Sequence, residues 1–452
     1  MLNYYPHFLH IMEEFKNMSG GQSGILQGIF APIVKIPPEP YLKLMTCNMP
    51  YYHKLTFNDP HKDVQYHISG YGIYNEEAFV KLLGESVERY APIITESIFR
   101  KQAVYASYNE IKNKGKALPL EYINIFSIEQ QKTIHSMIPS YSENHINDNE
   151  IISWISCPSL LYPGENIWIP LQLMFVGYVK EVKKKENCVT PSFSTGTAAH
   201  RTVKKALLNS IIEYIQIDSF ILSWYTERKC KQIKIDDPVI LSILENVGLG
   251  IDCPYEITPF YTTLQDLDLP TVMVAIKKKN TNFPNFIIGV QGDLDIRNAI
   301  VRGIFEAAAI ISMNIYGIIY DTNTVFFANK NSAFADLDTN VFYYGAPDNN
   351  NIVNRILNNL SGEKIALSLF KKWNNISIDD QLAHLIHQLK GISQYAVYLD
   401  ITPPELHKKN WNVIRTLIPE LCGMCFPGFP FLNHPRMKKY GDVTNGYPHP
   451  LP

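Results

Sequence analysis

Three segments of the chain share one pattern of apolar and polar positions, which is typical of helices that carry a narrow polar strip. In each segment an alanine is followed seven residues later by a glutamate, giving the pairs Ala78 and Glu85, Ala206 and Glu213, and Ala299 and Glu306. Because seven residues return an α-helix to nearly the same face, each alanine leaves space beside its glutamate. The pattern therefore predicts three helices that converge with their carboxylates directed inward.

The first predicted helix is amphipathic, and its polar face carries Lys81, Glu85, Glu88 and Arg89. Its expected N-cap is Asn75, which is followed by acidic residues in the first turn. Taken alone, this helix is explained equally well as an ordinary surface helix.

The second and third predicted helices are harder to place at a surface. Residues 203 to 224 are apolar nearly all round, apart from a strip that contains Asn209, Glu213 and Gln216. Such a helix is buried, and a buried glutamate must be paired, protonated or bound to a metal. In the third helix Arg302 lies four residues before Glu306, so an internal ion pair explains this segment as well as a site does.

Predicted strands are interleaved with these helices. Residues 270–277 and 285–290 flank a charged tip, as the strands of a β-hairpin do, and residues 395–402 alternate like a strand. A turn of small residues at 191–200 precedes the second helix, and the charge run at 180–187 predicts a solvated loop. This order predicts an α/β fold with mixed sheets and packed helices.

The same sequence pattern also predicts the domain organisation. Residues 1–64 mix helical and proline-punctuated pieces, which predicts an N-terminal region packed on a core domain of residues 65–452. No apolar run reaches the length of a membrane span, and acidic residues interrupt the N-terminal segment where a signal peptide needs apolar ones. We therefore expect a cytoplasmic protein.

Composition narrows the class of partner. The 452 residues are 46% hydrophobic and carry a formal net charge of −2, which gives no electrostatic footprint for nucleic acid. The 7 cysteines are odd in number and scattered, so reduced thiols are expected rather than a disulfide framework.

Carboxylates gathered from separate helices repel one another unless cations lie between them. Oxygen-rich clusters suit magnesium that is held against nucleotide phosphates. Before the second helix, Ser194, Thr195 and Gly196 offer hydroxyls and main-chain N–H groups to an anion at a helix N-terminus. The sequence contains neither a P-loop nor a dinucleotide-binding fingerprint, so a nucleotide would bind outside both familiar cradles.

Several motifs together resemble one known family. Residues 84–92 read GESVERYAP, FSTGTAAH precedes the Glu213 helix, and Arg302 is spaced four residues from Glu306. Towards the C-terminus stand YLDITPPEL, VIRTLIPEL and PGFPFLNHPRM, and a tail with proline at 448, 450 and 452. In this order the motifs resemble the YcaO-domain family, from about residue 65 onward, and in particular the stand-alone D proteins of streptolysin S-type toxin clusters.

The resemblance implies an ATP-dependent cyclodehydratase with a YcaO-type fold. In that reaction a Cys, Ser or Thr side chain of a precursor peptide attacks the preceding carbonyl, ATP phosphorylates the resulting oxyanion, and phosphate leaves to give an azoline. The implied magnesium ligands are Glu85, Glu88, Glu213 and Glu306. The implied nucleotide contacts add Ser194, Thr195, Gly196 and Gln216 to these, and the implied catalytic residues are Arg89, Arg302 and Pro452.

The second motif departs from the family pattern. The family commonly reads E-x-x-E-R-D, whereas this chain has Gln216 and Ile217 at the fourth and fifth positions, before Asp218. A rival hypothesis is therefore a docking scaffold whose own ATP site has decayed. Thioamide formation is disfavoured by the proline tail, for which a disordered terminus is the alternative explanation.

Partners are also implied by the resemblance. They are the toxin precursor peptide, a C-type protein that resembles ubiquitin-activating enzymes, and a flavin-dependent B-type dehydrogenase. Nucleic acid is not an expected partner, and a homodimer stays open.

Overall fold

The computed structural model describes residues 8–20, 24–26, 31–32, 39–49, 67–188, 190–320, 333–337, 339–371 and 376–452. These residues form several sheets with helices packed against them, which confirms the predicted mixed α/β class.

The helices in the described ranges are α1 Phe8–Met18, α2 Asn75–Arg100, α3 Tyr108–Ile111, α4 Ile128–Met137, α5 Leu171–Met174, α6 Val203–Tyr225, α7 Pro238–Asn246, α8 Ile296–Tyr320, α9 Thr339–Gly345, α10 Asn350–Leu360, α11 Ile378–Lys390, α12 Pro404–His407 and α13 Pro435–Lys439. The strands are β1 Ala31–Pro32, β2 Lys43–Asn48, β3 His67–Gly72, β4 Val104–Ala106, β5 Ile152–Pro158, β6 Asn166–Pro170, β7 Thr197–His200, β8 Cys230–Lys234, β9 Tyr255–Tyr261, β10 Thr271–Lys278, β11 Phe286–Gly292, β12 Ser361–Ala366, β13 Val397–Asp400 and β14 Asn412–Leu417.

The strands pair into four sheets, with the orders β1-β2-β3, β4-β5-β6, β13-β14-β7 and β11-β10-β9-β8-β12. The pairing is antiparallel except between β8 and β12, which run parallel. The predicted hairpin is confirmed, because β10 and β11 pair from Thr271 opposite Gly292 to Lys277 opposite Phe286.

Three edge strands each lead into one of the long helices. We call β3 with α2 the first unit, β7 with α6 the second unit and β11 with α8 the third unit. Each helix packs on the strand of its own unit and also on that of the next, so that α2 contacts β7, α6 contacts β11 and α8 contacts β3. The three units therefore close into a ring, and one sheet edge of each unit faces the interior of the ring.

Small residues allow the close packing within the units. A Cβ atom added to Gly70 would lie 1.9 Å from the main-chain oxygen of Ala78, and one added to Gly289 would lie 2.1 Å from that of Gly303. Ala78 and Ala299 are fully buried. The space that the alanine pattern predicts is thus filled by packed protein. This close packing sets each helix at a distance from which its glutamate reaches the strand.

The N-terminal residues that the structure describes pack onto the first unit. Ile11 and Phe15 of α1 are buried, and the Phe15 ring lies 6.0 Å from that of Phe79 in α2. Strand β2 pairs with β3 along its whole length, so one sheet joins residues on both sides of position 64. The predicted boundary at that position stays a prediction.

Helix α8 is apolar because it lies in the core. Its residues Ile296–Ile315 are long and apolar enough to cross a membrane by length and composition, yet 67% of that window is buried inside the protein. Core packing explains the composition of this helix.

Three local predictions differ from the structure. The N-cap of α2 is Tyr74, without a side-chain bond, so the prediction of Asn75 was wrong by one residue. In the 180–187 segment, Glu186 is buried and accepts hydrogen bonds from the Ser153 and Tyr178 hydroxyls, so this loop is only partly solvated. The turn at 191–200 leads into β7 before α6 begins, so it does not form the N-terminus of that helix.

Candidate nucleotide and metal site

Each of the three glutamates accepts a hydrogen bond from the edge strand region of its own unit. The N–H groups are those of Ser69 to Glu85 at 2.9 Å, Gly196 to Glu213 at 3.2 Å and Val290 to Glu306 at 2.8 Å. An edge strand leaves such N–H groups without a strand partner. The glutamates supply the missing hydrogen-bond acceptor, and the hydrogen bond holds one oxygen of each carboxylate in a fixed direction.

The carboxyl groups of different units influence one another. Burial raises the pKa of Glu88 to about 8, with Glu213 of the second unit and Glu85 adding to the shift against the opposing Arg89. Burial likewise raises the pKa of Glu213 to about 7, and Glu306 of the third unit contributes to that shift. The ring therefore brings Glu85, Glu88, Glu213 and Glu306 into one electrostatic cluster.

This cluster is deficient in positive charge. Burial raises the pKa of Glu306 to about 7 despite the nearby Arg302 and Lys81. Groups of this kind are stabilised in their ionised form when a cation enters among them. The donor set of half-buried carboxylates thus fits a divalent cation with oxygen preference.

The carboxylates of the described residues do not form a closed protein cage for a metal. Within the described ranges no group of three His, Cys, Asp or Glu side chains is close enough to hold a metal by itself. Magnesium usually takes one or two carboxylates together with water and substrate phosphates, so it does not require such a cage. The residues present therefore fit magnesium bound jointly with a nucleotide.

Two arginines stand beside the cluster. Arg89 Nη2 lies 3.7 Å from Glu85 Oε1, and Arg89 lowers the pKa values of Glu88 and Glu213. Arg302 is 54% exposed, and its Nη1 lies 3.3 Å from Asp293 Oδ2. The internal Arg302–Glu306 pair is thus not the arrangement in the described structure, and an exposed guanidinium lies next to the acidic site.

The turn at residues 194–196 orients Glu213. Gly196 has φ +83°, and a Cβ there would lie 2.3 Å from the main-chain oxygen of Thr416, so this close approach requires glycine. Arg415 donates to the main-chain oxygen of Thr195 at 2.6 Å and braces the turn from behind. Because β7 intervenes, only the predicted position of this turn at a helix N-terminus was wrong. Nucleotide contact by Ser194, Thr195 and Gly196 stays a prediction.

Comparison with known proteins decides the family. A model described as YcaO cyclodehydratase, ATP- and Mg²⁺-binding, matches residues 69–422. The chain belongs to the YcaO cyclodehydratase family. A search of curated proteins finds no match.

Solved structures share the YcaO fold at low sequence identity. A heterocyclase in complex with substrate and cofactor is 17% identical with a TM-score of 0.71, and the match covers 100% of this chain and 59% of that one. YcaO from Methanopyrus kandleri, bound with AMPPCP and Mg²⁺, is 13% identical with a TM-score of 0.58, over 87% of this chain and 84% of that one. The E. coli microcin synthetase McbBCD complex with pro-MccB17 bound gives 13% and 0.58, over 94% and 96%. The chain thus spans 59% of the length of the first heterocyclase.

Gln216 lies three residues after Glu213, and both ends of its amide are hydrogen-bonded. Its Nε2 donates to the main-chain oxygen of Val290 at 2.6 Å, and its Oε1 accepts from the N–H of Gly292 at 2.9 Å. These two bonds fix the orientation of the amide. Ile217, the next residue, is buried.

Two polar residues beside Glu306, Lys81 and Gln291, were not among the predicted site residues. Lys81 Nζ lies 2.9 Å from Glu77 Oε1 and over the Tyr71 ring, and burial lowers its pKa. Gln291 is 8% exposed and donates from Nε2 to Glu306 Oε2 at 3.2 Å. The position of Lys81, four residues before Glu85, was a usable signal, whereas Gln291 reaches the site only through the pairing of β11.

Asp218 is a structural acid rather than part of the cluster. It is fully buried, and both of its oxygens accept from Arg436 Nε at 2.8 Å. The main-chain N–H of Cys422 also donates to it, and Arg436 in turn binds Asp266. This network fastens the C-terminal segment to the second half of α6.

The proline-containing tail is ordered, and its residues 448–451 are buried. Asn340 Nδ2 donates to the main-chain oxygens of His449 at 2.7 Å and Leu451 at 2.8 Å. His449 is fully buried between aromatic rings of α6, and Pro452 is exposed. The disordered-terminus alternative was therefore wrong. These contacts lie along the C-terminal half of α6, so the reach of Pro452 to the nucleotide stays a prediction.

Proposed function

We propose that this YcaO protein is the ATP-dependent cyclodehydratase subunit that converts Cys, Ser or Thr residues of a ribosomally made toxin precursor to azolines. The observation that carries the proposal is the ring of three units. It gathers glutamates of α2, α6 and α8 into one cluster that is deficient in positive charge. The further assignment to the streptolysin S-type group rests on the motifs and the proline tail.

In the proposed reaction the glutamates Glu85, Glu88, Glu213 and Glu306 would hold magnesium ions against the phosphates of ATP, each ion taking one or two of the carboxylates together with water and phosphate oxygens. When bound, ATP supplies the phosphoryl group that turns the amide oxygen of the peptide into a good leaving group. Arg89 and Arg302 neutralise negative charge on the transferred group. The strand N–H groups keep the carboxylates oriented, so little reorganisation is needed when the nucleotide binds.

We further propose that the protein acts in the cytoplasm together with a C-type partner and a flavin-dependent B-type dehydrogenase. A peptide-bound assembly is named for the related E. coli microcin synthetase. Its fold likeness to this chain supports the idea that the peptide is delivered within a complex.

The direct test is phosphate release by the purified protein with its partners and precursor peptide. Glu213→Gln keeps an oxygen that can accept from Gly196 and removes the negative charge, so we expect at least a 100-fold loss of rate with an intact fold. Exposed Glu143 offers the matched control, since Glu143→Gln makes the same change of charge at a residue outside the cluster. Equal rates in both variants would remove the enzymatic proposal.

The scaffold hypothesis has one observation in its favour, which is the engagement of Gln216 by the main chain of β11. It predicts that the wild-type protein assembles with its partners but binds no ATP in the presence of magnesium. A calorimetric titration of the isolated protein and of the complex separates the two functions.

A further inference from the structure

The third unit differs from the other two in how its edge strand is held. Three main-chain groups of β11 have helix side chains as partners: the N–H of Val290, the oxygen of Val290 and the N–H of Gly292. Glu306 takes the first, and Gln216 takes the other two. The amide of Gln216 thus completes the edge of this sheet as a neighbouring strand would.

One residue of β11 is therefore hydrogen-bonded by side chains of two different helices. Val290 donates its N–H to Glu306 of α8 and accepts, through its oxygen, from Gln216 of α6. A shift of Val290 moves the donor that fixes Glu306 Oε2. Gln291, the next residue along β11, also donates to that oxygen, so the same shift disturbs a second hydrogen bond to Glu306.

The two bonds at position 216 suit an amide. An ionised carboxylate could accept from Gly292 but could not donate to the Val290 oxygen, and it would place two acceptors against each other. The fit is also steric, because a Cβ on Gly292 would lie 3.2 Å from Gln216 Cβ. The departure from the family carboxylate thus matches the geometry around it.

We propose that Gln216 is a positioning residue that sets the orientation of Glu306 through the main chain of β11. Its position corresponds to that of Glu88, since each lies three residues after the glutamate of its unit, and Ala199 of β7 in the next unit donates its N–H toward Glu88. Gln216 is therefore the link from the second unit to the third, and the kinetic part of this inference rests on the proposed function.

The test uses Gln216→Met, which keeps the side-chain length and removes both hydrogen bonds, and Gln216→Glu, which restores the family residue. Loss of the orienting partner of a metal ligand typically costs about 10- to 100-fold in metal affinity or activity. We expect both variants to weaken magnesium-dependent ATP binding by about 10-fold or more. The matched control is Ser219→Ala, because Ser219 is buried on the same helix and its hydroxyl bonds only to the Ile215 oxygen.

A second readout does not depend on nucleotide. Hydrogen exchange should quicken at the amides of Gly292 and Val290 in Gln216→Met and stay unchanged in Ser219→Ala. Gly292→Ala displaces Gln216 from the strand side and should reproduce the effect if Gln216→Met fails to fold.

The outcomes separate this inference from the proposed function. Tighter magnesium binding in Gln216→Glu would show that position 216 is a ligand position and would overturn the inference, as would wild-type exchange at Val290 in Gln216→Met. A wild-type protein that binds no ATP contradicts the proposed function, and the exchange experiment then still decides the role of Gln216.

Discussion

Two acids on α6, five residues apart, show two ways of keeping a carboxylate inside a protein. Asp218 is fully buried and already paired with Arg436 and the Cys422 N–H. Glu213 is half-buried and accepts from the Gly196 N–H, in a cluster where burial raises its pKa to about 7. The charge of Asp218 is satisfied within the fold, whereas that of Glu213 is left for a ligand.

The difference teaches how to separate a structural acid from a functional one. A buried ion pair holds its partners together but leaves no capacity for a ligand. Burial raises the pKa of both acids, so the counter-ion is what distinguishes them. A carboxylate that lies among other carboxylates rather than against a paired arginine is instead ready to take up a cation. The first half of α6 thus serves the proposed site, and the second half serves the core that receives the C-terminal segment.

The largest effect on stability is expected at Asp218. Asp218→Ala leaves Arg436 buried without its main counter-ion, which typically costs about 3 to 5 kcal/mol in the free energy of unfolding. Urea denaturation measures this loss. In the double variant with Arg436→Met the loss should be smaller than the sum of the two single losses, and a change below about 1 kcal/mol in Asp218→Ala would contradict the comparison.

The core around the C-terminal segment should also lose stability in acid. Burial lowers the pKa of His434 and of His449 to about 4. Because the folded-state pKa lies below the unfolded value, this stabilisation is present above about pH 6.5 and is lost as the pH falls towards 4, by about 2 kcal/mol for each histidine between pH 7 and pH 5. The acidic cluster acts in the opposite sense over this range, because the raised pKa values of its carboxyl groups add stability as the pH falls. The measured quantity is therefore the change in the free energy of unfolding from pH 7 to pH 5 in His449→Gln relative to the wild type, which should favour the variant by about 2 kcal/mol. Identical changes in the two proteins would contradict the assignment.

The smallest effects on stability are expected at the acidic cluster. Glu213→Gln and Glu306→Gln keep an acceptor for the strand N–H and remove like-charge repulsion, so the free energy of unfolding should change by less than about 1 kcal/mol. Thermal unfolding without nucleotide tests this. A loss as large as that in Asp218→Ala would show that these glutamates are structural.

Removal of Pro452 alone separates catalysis from folding at the tail. Because Pro452 is exposed while Leu451 is buried, its deletion should leave the melting temperature nearly unchanged. If the tail reaches the nucleotide, azoline formation should fall strongly, and normal processing of the precursor would leave the tail with a packing role only.

The helices of the three units and the β10–β11 hairpin were predictable because their apolar periods are long and regular. The convergence of the glutamates followed from one helical spacing and from the family motifs. The acceptors of the strand N–H groups were not predictable, because they depend on which strands lie at sheet edges. Gln216 illustrates this limit, since its two hydrogen-bond partners lie 74 and 76 positions away from it in the sequence. A tail that packs into the protein was expected from the family resemblance, whereas its partners Asn340 and α6 were not predictable, because they hold the tail through tertiary contacts alone.

We propose that the half-buried glutamates of the ring, unlike Asp218, bind magnesium and nucleotide. Calorimetric titration of the metal-depleted protein with ATP, with and without magnesium, measures this binding. We expect magnesium-dependent binding in the wild type and in Glu143→Gln, and a loss of about 10-fold or more in Glu213→Gln and Glu306→Gln. Binding of wild-type strength in the Glu213→Gln/Glu306→Gln double variant would contradict it.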